Sequence, residues 1–95
     1  MKYSVEYTSN FKKQFSKIKK QGKDLSKLYK VIELLANGKD LDYRCRNHKL
    51  INNKKYMDCY ECHIEPDWLL IYRYDHNELI LLLFETGSHS ELFRD

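Results

Sequence analysis

Three histidines, one carboxylate and two aromatic side chains stand in this chain where a small surface could gather them. His63 opens the run His63-Ile64-Glu65-Pro66-Asp67-Trp68-Leu69-Leu70-Ile71-Tyr72, which reads as a strand end, a tight turn on Pro66-Asp67 and an apolar strand leaving it. His89 lies in Thr86-Gly87-Ser88-His89-Ser90-Glu91-Leu92-Phe93, just past another apolar run, and His48 sits in a polar stretch earlier in the chain. The expectation is that the three imidazoles meet at one sheet edge beside Asp67, with Trp68 and Phe93 free to stack on bases. Imidazole titrates near neutrality, so it suits proton transfer, and a neighbouring carboxylate fixes its tautomer. Histidines, a carboxylate and basic residues are sufficient for RNA cleavage. A base takes the 2′-hydroxyl proton, that oxygen attacks the adjacent phosphorus, an acid protonates the leaving 5′-oxygen, and lysine or arginine stabilises the phosphate charge. Taken singly, each of these histidines is more often an ordinary surface or hydrogen-bonding residue than a catalyst.

Other chemistries find less support. Cys59-Tyr60-Glu61-Cys62-His63 matches the C-x-x-C-H haem-attachment spacing, but residues three apart in a strand point to opposite faces and cannot grip one haem or metal. Only if that segment were a loop would Cys59, Cys62, His63 and His48 make a zinc set. With three cysteines in the chain, free thiols serving as small apolar residues are the plainer reading. No Gly-rich phosphate loop, nucleophile elbow or H-E-x-x-H occurs. No cofactor and no metal are expected.

The elements that must position these groups follow from periodicity. Tyr3, Val5 and Tyr7 alternate with polar residues as in a half-buried strand. Thr8 or Ser9 can cap a helix over residues 10–21, whose Phe11, Phe15 and Ile18 form one apolar stripe, and Gly22 can end it. Asp24 can cap a second helix carrying Leu25, Leu28, Ile32 and Leu35, ending near Asn37-Gly38. Such a helical hairpin must lay its stripes on a sheet. Residues 39–55 read as a long polar loop with a short extended piece around Cys45–Leu50, and residues 56–64, 68–74 and 79–84 as three strands, the last apolar on both parities and therefore central. The fold class is α+β: a two-helix hairpin packed on a mainly antiparallel sheet in the order β-α-α-β-β-β.

The 95 residues suit a single domain over 1–95, and 42% hydrophobic content with eight Tyr and four Phe argues against disorder. No export signal or membrane-length apolar run is seen, so a cytoplasmic protein is expected. Net charge is only +3, but residues 11–30 hold eight Lys against one acid, whereas residues 56–95 hold two Arg against nine acids. A basic half suits a polyanion such as nucleic acid; lysines on a solvated helix face are the plain alternative.

With those residues in view, the chain resembles the RelE/YafQ toxins of bacterial toxin–antitoxin systems, in the YafQ branch. The resemblance rests on the His63–Tyr72 and Thr86–Phe93 motifs and extends over the whole chain in length and element order. It implies a small RelE-like fold and a metal-free enzyme that enters the ribosomal A site and cuts the translated mRNA. The implied partners are the ribosome with its rRNA, mRNA and a cognate antitoxin, with promoter DNA reached only through the antitoxin. Carried over, the family's active groups fall on His48, His63, Asp67 and His89, with Trp68 and Phe93 beside them; His89 is the implied acid, His48 or Asp67 the base, and His63 a positioning group. Many relatives carry Arg where this chain has Tyr60 and Glu85, so the phosphate's counter-charge is expected from Arg44, Arg46, Lys49, Lys54 or Lys55. A second reading is a toxin-like binding module that mainly holds its antitoxin and assists promoter regulation.

Overall fold

A computed structural model describes residues 1–93. The elements are β1 (Ser4–Tyr7), α1 (Ser9–Lys20), α2 (Leu25–Ala36), a 3-10 turn at Tyr43–Cys45, β2 (His48–Lys49), β3 (Tyr60–Glu65), β4 (Trp68–Asp75), β5 (Ile80–Gly87) and a single helical turn α3 (His89–Leu92). The strands form one sheet in the order β1-β5-β4-β3-β2, with β1 parallel to β5 and every other neighbouring pair antiparallel. The expected class and element order are those observed; the short extended piece expected around Cys45–Leu50 is β2, and α3 is added. No helix of the described residues is long and apolar enough to cross a membrane.

The helices begin where short polar side chains can take up free amides. Thr8 Oγ1 accepts from Phe11 N at 3.0 Å, and Asp24 Oδ1 accepts from Ser26 N at 3.0 Å. The apolar stripes of both helices then cover one face of the sheet. Phe11, Ile18, Leu28, Val31 and Leu35 join Tyr3, Cys62, Trp68, Leu70, Tyr72, Leu81 and Leu83 in the main core. Each fully buried Leu contributes roughly 1.5–3 kcal/mol, so this face carries most of the stability.

The opposite face is covered only in part. Tyr56, Cys59, Leu69, Ile71 and Leu92 form a second, smaller cluster there, flanked by Leu50, Phe84 and Phe93. Strand alternation places Leu69 and Ile71 on this open face and Trp68, Leu70 and Tyr72 under the helices.

Two boundaries differ from the periodicity. β3 begins at Tyr60 instead of residue 56, because Asp58 takes a left-handed φ of 60° that breaks the strand, and Tyr56 turns inward to fill the second cluster. β5 begins after Leu79, itself at φ 54°, and runs on to Gly87. Beyond that glycine α3 folds back at close range: a Cβ on Gly87 would lie 3.2 Å from Glu91 Oε1 and 3.5 Å from Leu92 Cδ2. Ser88 and Glu91 close a capping box around α3.

Candidate active site on the open face

β2 and β3 bring the first three groups together. His48 and Glu61 are cross-strand partners, and His63 follows Glu61 by two residues, so all three lie on the open face. Glu61 is 6% exposed, with its Oε1 at 3.4 Å from His63 Nε2 and 3.7 Å from His48 Nε2. At the far side of each ring, His63 Nδ1 lies 3.1 Å from Pro66 O and His48 Nδ1 lies 2.9 Å from Arg46 O. A carbonyl only accepts, so both Nδ1 atoms carry hydrogen and both Nε2 atoms face the carboxylate.

The second group is set by the turn between β3 and β4. Asp67 Oδ1 accepts from the backbone N of His89 at 2.9 Å, which ties the turn to the start of α3. The carboxylate therefore meets the peptide of His89 and leaves its ring free. That ring packs on Phe93 at 4.8 Å between centroids, and Phe93 in turn meets Tyr56 edge-on at 5.5 Å. Leu69 pairs with His63 on one side and Gly87 on the other. Two strand spacings thus put His63 and Gly87 about 10 Å apart, with His89 two residues beyond. His63 and the turn that carries His89 thus stand across that spacing, on either side of Leu69.

Trp68, expected to stack on bases, does not reach this face. It is fully buried beneath the helices, and its Nε1 donates to Thr86 Oγ1 at 3.0 Å while Lys23 sits over the ring at 5.6 Å. It is a core residue whose polar tip is satisfied internally. Tyr60 likewise lies on the helix side, stacked on Tyr72 at 5.6 Å, so its side chain takes no place on the open face.

The basic candidates separate as well. Arg44 holds Asp42 at 3.2 Å, in a turn that packs through Cys45 on the helix-side core. Lys49, cross-strand partner of Tyr60, alternates away from His48. Arg46 and Lys54 are exposed in the flanking loops. Lys55 is brought over the open face, 5.1 Å above the Tyr56 ring and 3.8 Å from Glu85 Oε2. Arg73 was not anticipated: it extends along the same face, over Phe84 at 5.4 Å, with Nη1 donating to Met57 O at 3.3 Å.

Two acids, Glu85 buried and Glu91 partly exposed, shape the electrostatics. Glu85 is 4% exposed and accepts from Gln14 Nε2 at 2.9 Å. Burial, together with Glu85 beside it, pushes the Tyr56 phenol above its ordinary range and keeps it protonated. Glu91, in the capping box, is held down at about 2 by Lys17 and the Ser88 amide. Lys27 pairs with Glu65 at 2.9 Å, so part of the basic half is matched within the molecule.

Cys59 and Cys62 fall in different clusters on opposite faces, and burial raises both thiols above their ordinary range. Among the described residues no group of three His, Cys, Asp or Glu side chains is placed to hold a metal.

Glu61 escaped notice because it sits inside the C-x-x-C-H string, yet its strand parity with His63 was readable. For α3 the signal was Ser88-x-x-Glu91.

Solved structures place this fold among small bacterial toxins. A metal-bound toxin from Helicobacter pylori superposes with a TM-score of 0.89 at 38% identity, covering 96% of this chain and 99% of that one. The toxin-bearing E. coli DinJ–YafQ complex aligns with a TM-score of 0.85 at 32% identity, over 96% and 98% of the two chains. At the level of sequence, the "mRNA interferase toxin YafQ" of E. coli strain B / BL21-DE3 is 38% identical over 92 residues, 94% of each chain. A family model described as "Bacterial toxin of type II toxin-antitoxin system, YafQ" matches residues 3–94. The chain belongs to the YafQ family of type II toxin–antitoxin toxins.

Proposed function

We propose that this chain is an endoribonuclease, an mRNA interferase that cuts mRNA on the ribosome and is neutralised by a cognate antitoxin. The observation that carries the reading is the row His63, Leu69, Gly87, which sets His63 and the His89-bearing turn on either side of one strand. RNA laid across this gap has an imidazole on each flank of its phosphodiester. His89, with an exposed ring held against Phe93, is the acid that protonates the departing 5′-oxygen. His48 is the base toward the 2′-hydroxyl, with the Glu61 carboxylate lying between it and His63. Asp67 acts by fixing the start of α3, and so the place of His89. The curated relatives named mRNA interferase and the DinJ–YafQ complexes support the activity and the partner class. The lysines of α1 other than Lys17, which pairs with Glu91, suit contacts with rRNA phosphates.

The test is induction of the wild-type chain and of His89→Ala in growing bacteria, with mRNA ends mapped. Arrested growth and new ends for wild type only are expected; unchanged growth and no new ends for wild type refute the nuclease. A second reading, a toxin-like module that mainly binds its antitoxin, is favoured by one feature: Glu61 and Glu85 put two carboxylates on the face where a phosphate must lie. Tight antitoxin binding without any cleavage would select it.

A further inference from the structure

Glu85 raises a physical difficulty for RNA on the open face, since a carboxylate there repels phosphate unless something stands in front of it. The structure places Lys55 in that position. Its ammonium lies 3.8 Å from Glu85 Oε2, 3.4 Å from Leu92 O and 5.1 Å from the Tyr56 ring centroid. The carboxylate beneath is 6% exposed at its side chain and the lysine 56%, so an incoming anion meets the cation first. Glu85 is also engaged from behind by Gln14, whose own Oε1 accepts from Thr86 N at 2.9 Å. That brace fixes the carboxylate on the end of β5, directly before the turn that carries His89.

Lys55 has one more property that the other cations among the described residues lack. The same Tyr56 ring that lies under its ammonium meets Phe93 edge-on, and Phe93 carries the ring of His89. Lys55 and His89 therefore share one aromatic platform. Arg73, by contrast, is directed to Met57 O and the Phe84 ring, toward the far end of the sheet.

We propose that Lys55 is the residue that neutralises the scissile phosphate, and that Glu85 is its positioning residue, holding the ammonium beside His89. This rests on the nuclease reading above. The three protons of an ammonium permit this double duty, one directed to Leu92 O and the others left for phosphate oxygens. An ammonium held at the point where negative charge develops acts chiefly on the transition state, so its loss falls on kcat more than on KM.

The test is cleavage of ribosome-bound mRNA by the purified wild-type chain, by Lys55→Ala, Lys55→Gln, Lys55→Arg and Glu85→Gln, and by His89→Ala as the control. Expected are a kcat loss of about 100-fold for Lys55→Ala and Lys55→Gln alike, and a loss within about 3-fold for Lys55→Arg. Glu85→Gln keeps an acceptor for Gln14 but frees the lysine, so kcat falls about 10-fold with KM nearly unchanged. Lys55→Gln decides between charge and structure: it can still donate to Leu92 O but carries no cation. Full activity of Lys55→Gln, or of Lys55→Ala while His89→Ala is inactive, overturns the inference and leaves the nuclease standing. Absence of cleavage by every protein, wild type included, refutes the nuclease and this role together.

Discussion

Replacing Thr86 with Val tests whether Trp68 belongs to the core or to the RNA surface. Thr86 Oγ1 accepts from Trp68 Nε1 at 3.0 Å and donates to Leu69 O at 2.7 Å, and all three groups are buried. Valine keeps the shape and removes the oxygen, so the indole N–H loses its acceptor and the carbonyl loses its donor. An orphaned buried polar group costs about 1–3 kcal/mol; the carbonyl, with a second lone pair to use, falls at the low end, so the two together cost about 2–4 kcal/mol. At about 4–8 °C per kcal/mol for a domain of this size, the melting temperature should fall by roughly 8–32 °C. The assay is thermal unfolding followed by circular dichroism, paired with RNA cleavage well below the variant's melting point. Cleavage per folded molecule should match wild type, because nothing on the open face has changed. An unshifted melting temperature, or a large loss of cleavage in the folded variant, would refute the placement of Trp68 in the core.

Three further outcomes follow from the geometry. Glu91 is held at about 2 against an ordinary 4.5, so its stabilisation is complete above pH 4.5 and is lost as the pH falls toward 2. The pair with Lys17 is about one-third exposed on the acid's side, which limits the effect to about 1 kcal/mol; Glu91→Gln should flatten the acid limb of a stability titration by that amount, and an unchanged limb counts against the pair. Gly87→Ala introduces a Cβ 3.2 Å from Glu91 Oε1, so the carboxylate that closes the capping box of α3 must give by a few tenths of an ångström; cleavage should fall about 10-fold with less than about 1.5 kcal/mol lost in denaturant melts. Glu61→Gln removes the carboxylate shared by His48 and His63; a fall in cleavage of about 100-fold and an altered pH–rate profile are expected, and a wild-type profile would remove Glu61 from the proton path.

The sequence shows most plainly what local physics controls. The stripe Phe11, Phe15, Ile18 and the caps Thr8 and Asp24 are read from spacing alone, and both helices form as expected. The strands were legible as strands, but the faces were not. Trp68-Leu69-Leu70-Ile71-Tyr72 is apolar throughout, so no alternation tells which parity lies under the helices, and Trp68 and Tyr60 both fall on the side away from the histidines. α3 is one turn long, too short for any period to appear, and only its capping box marks it in the sequence. Lys55 and Arg73 reach the open face through a loop closed by Asn53, whose side chain accepts from Tyr56 N, and through the parity of β4; both depend on tertiary contacts that spacing does not encode.

The central claim is that His63 and His89 work across one gap as proton-handling groups on RNA. It is tested most directly by single-turnover cleavage of ribosome-bound mRNA by wild type, His63→Gln and His89→Gln, each first shown to be folded. Both variants should cut at least about 100-fold more slowly than wild type. Cleavage at the wild-type rate by the His89→Gln protein would contradict the account.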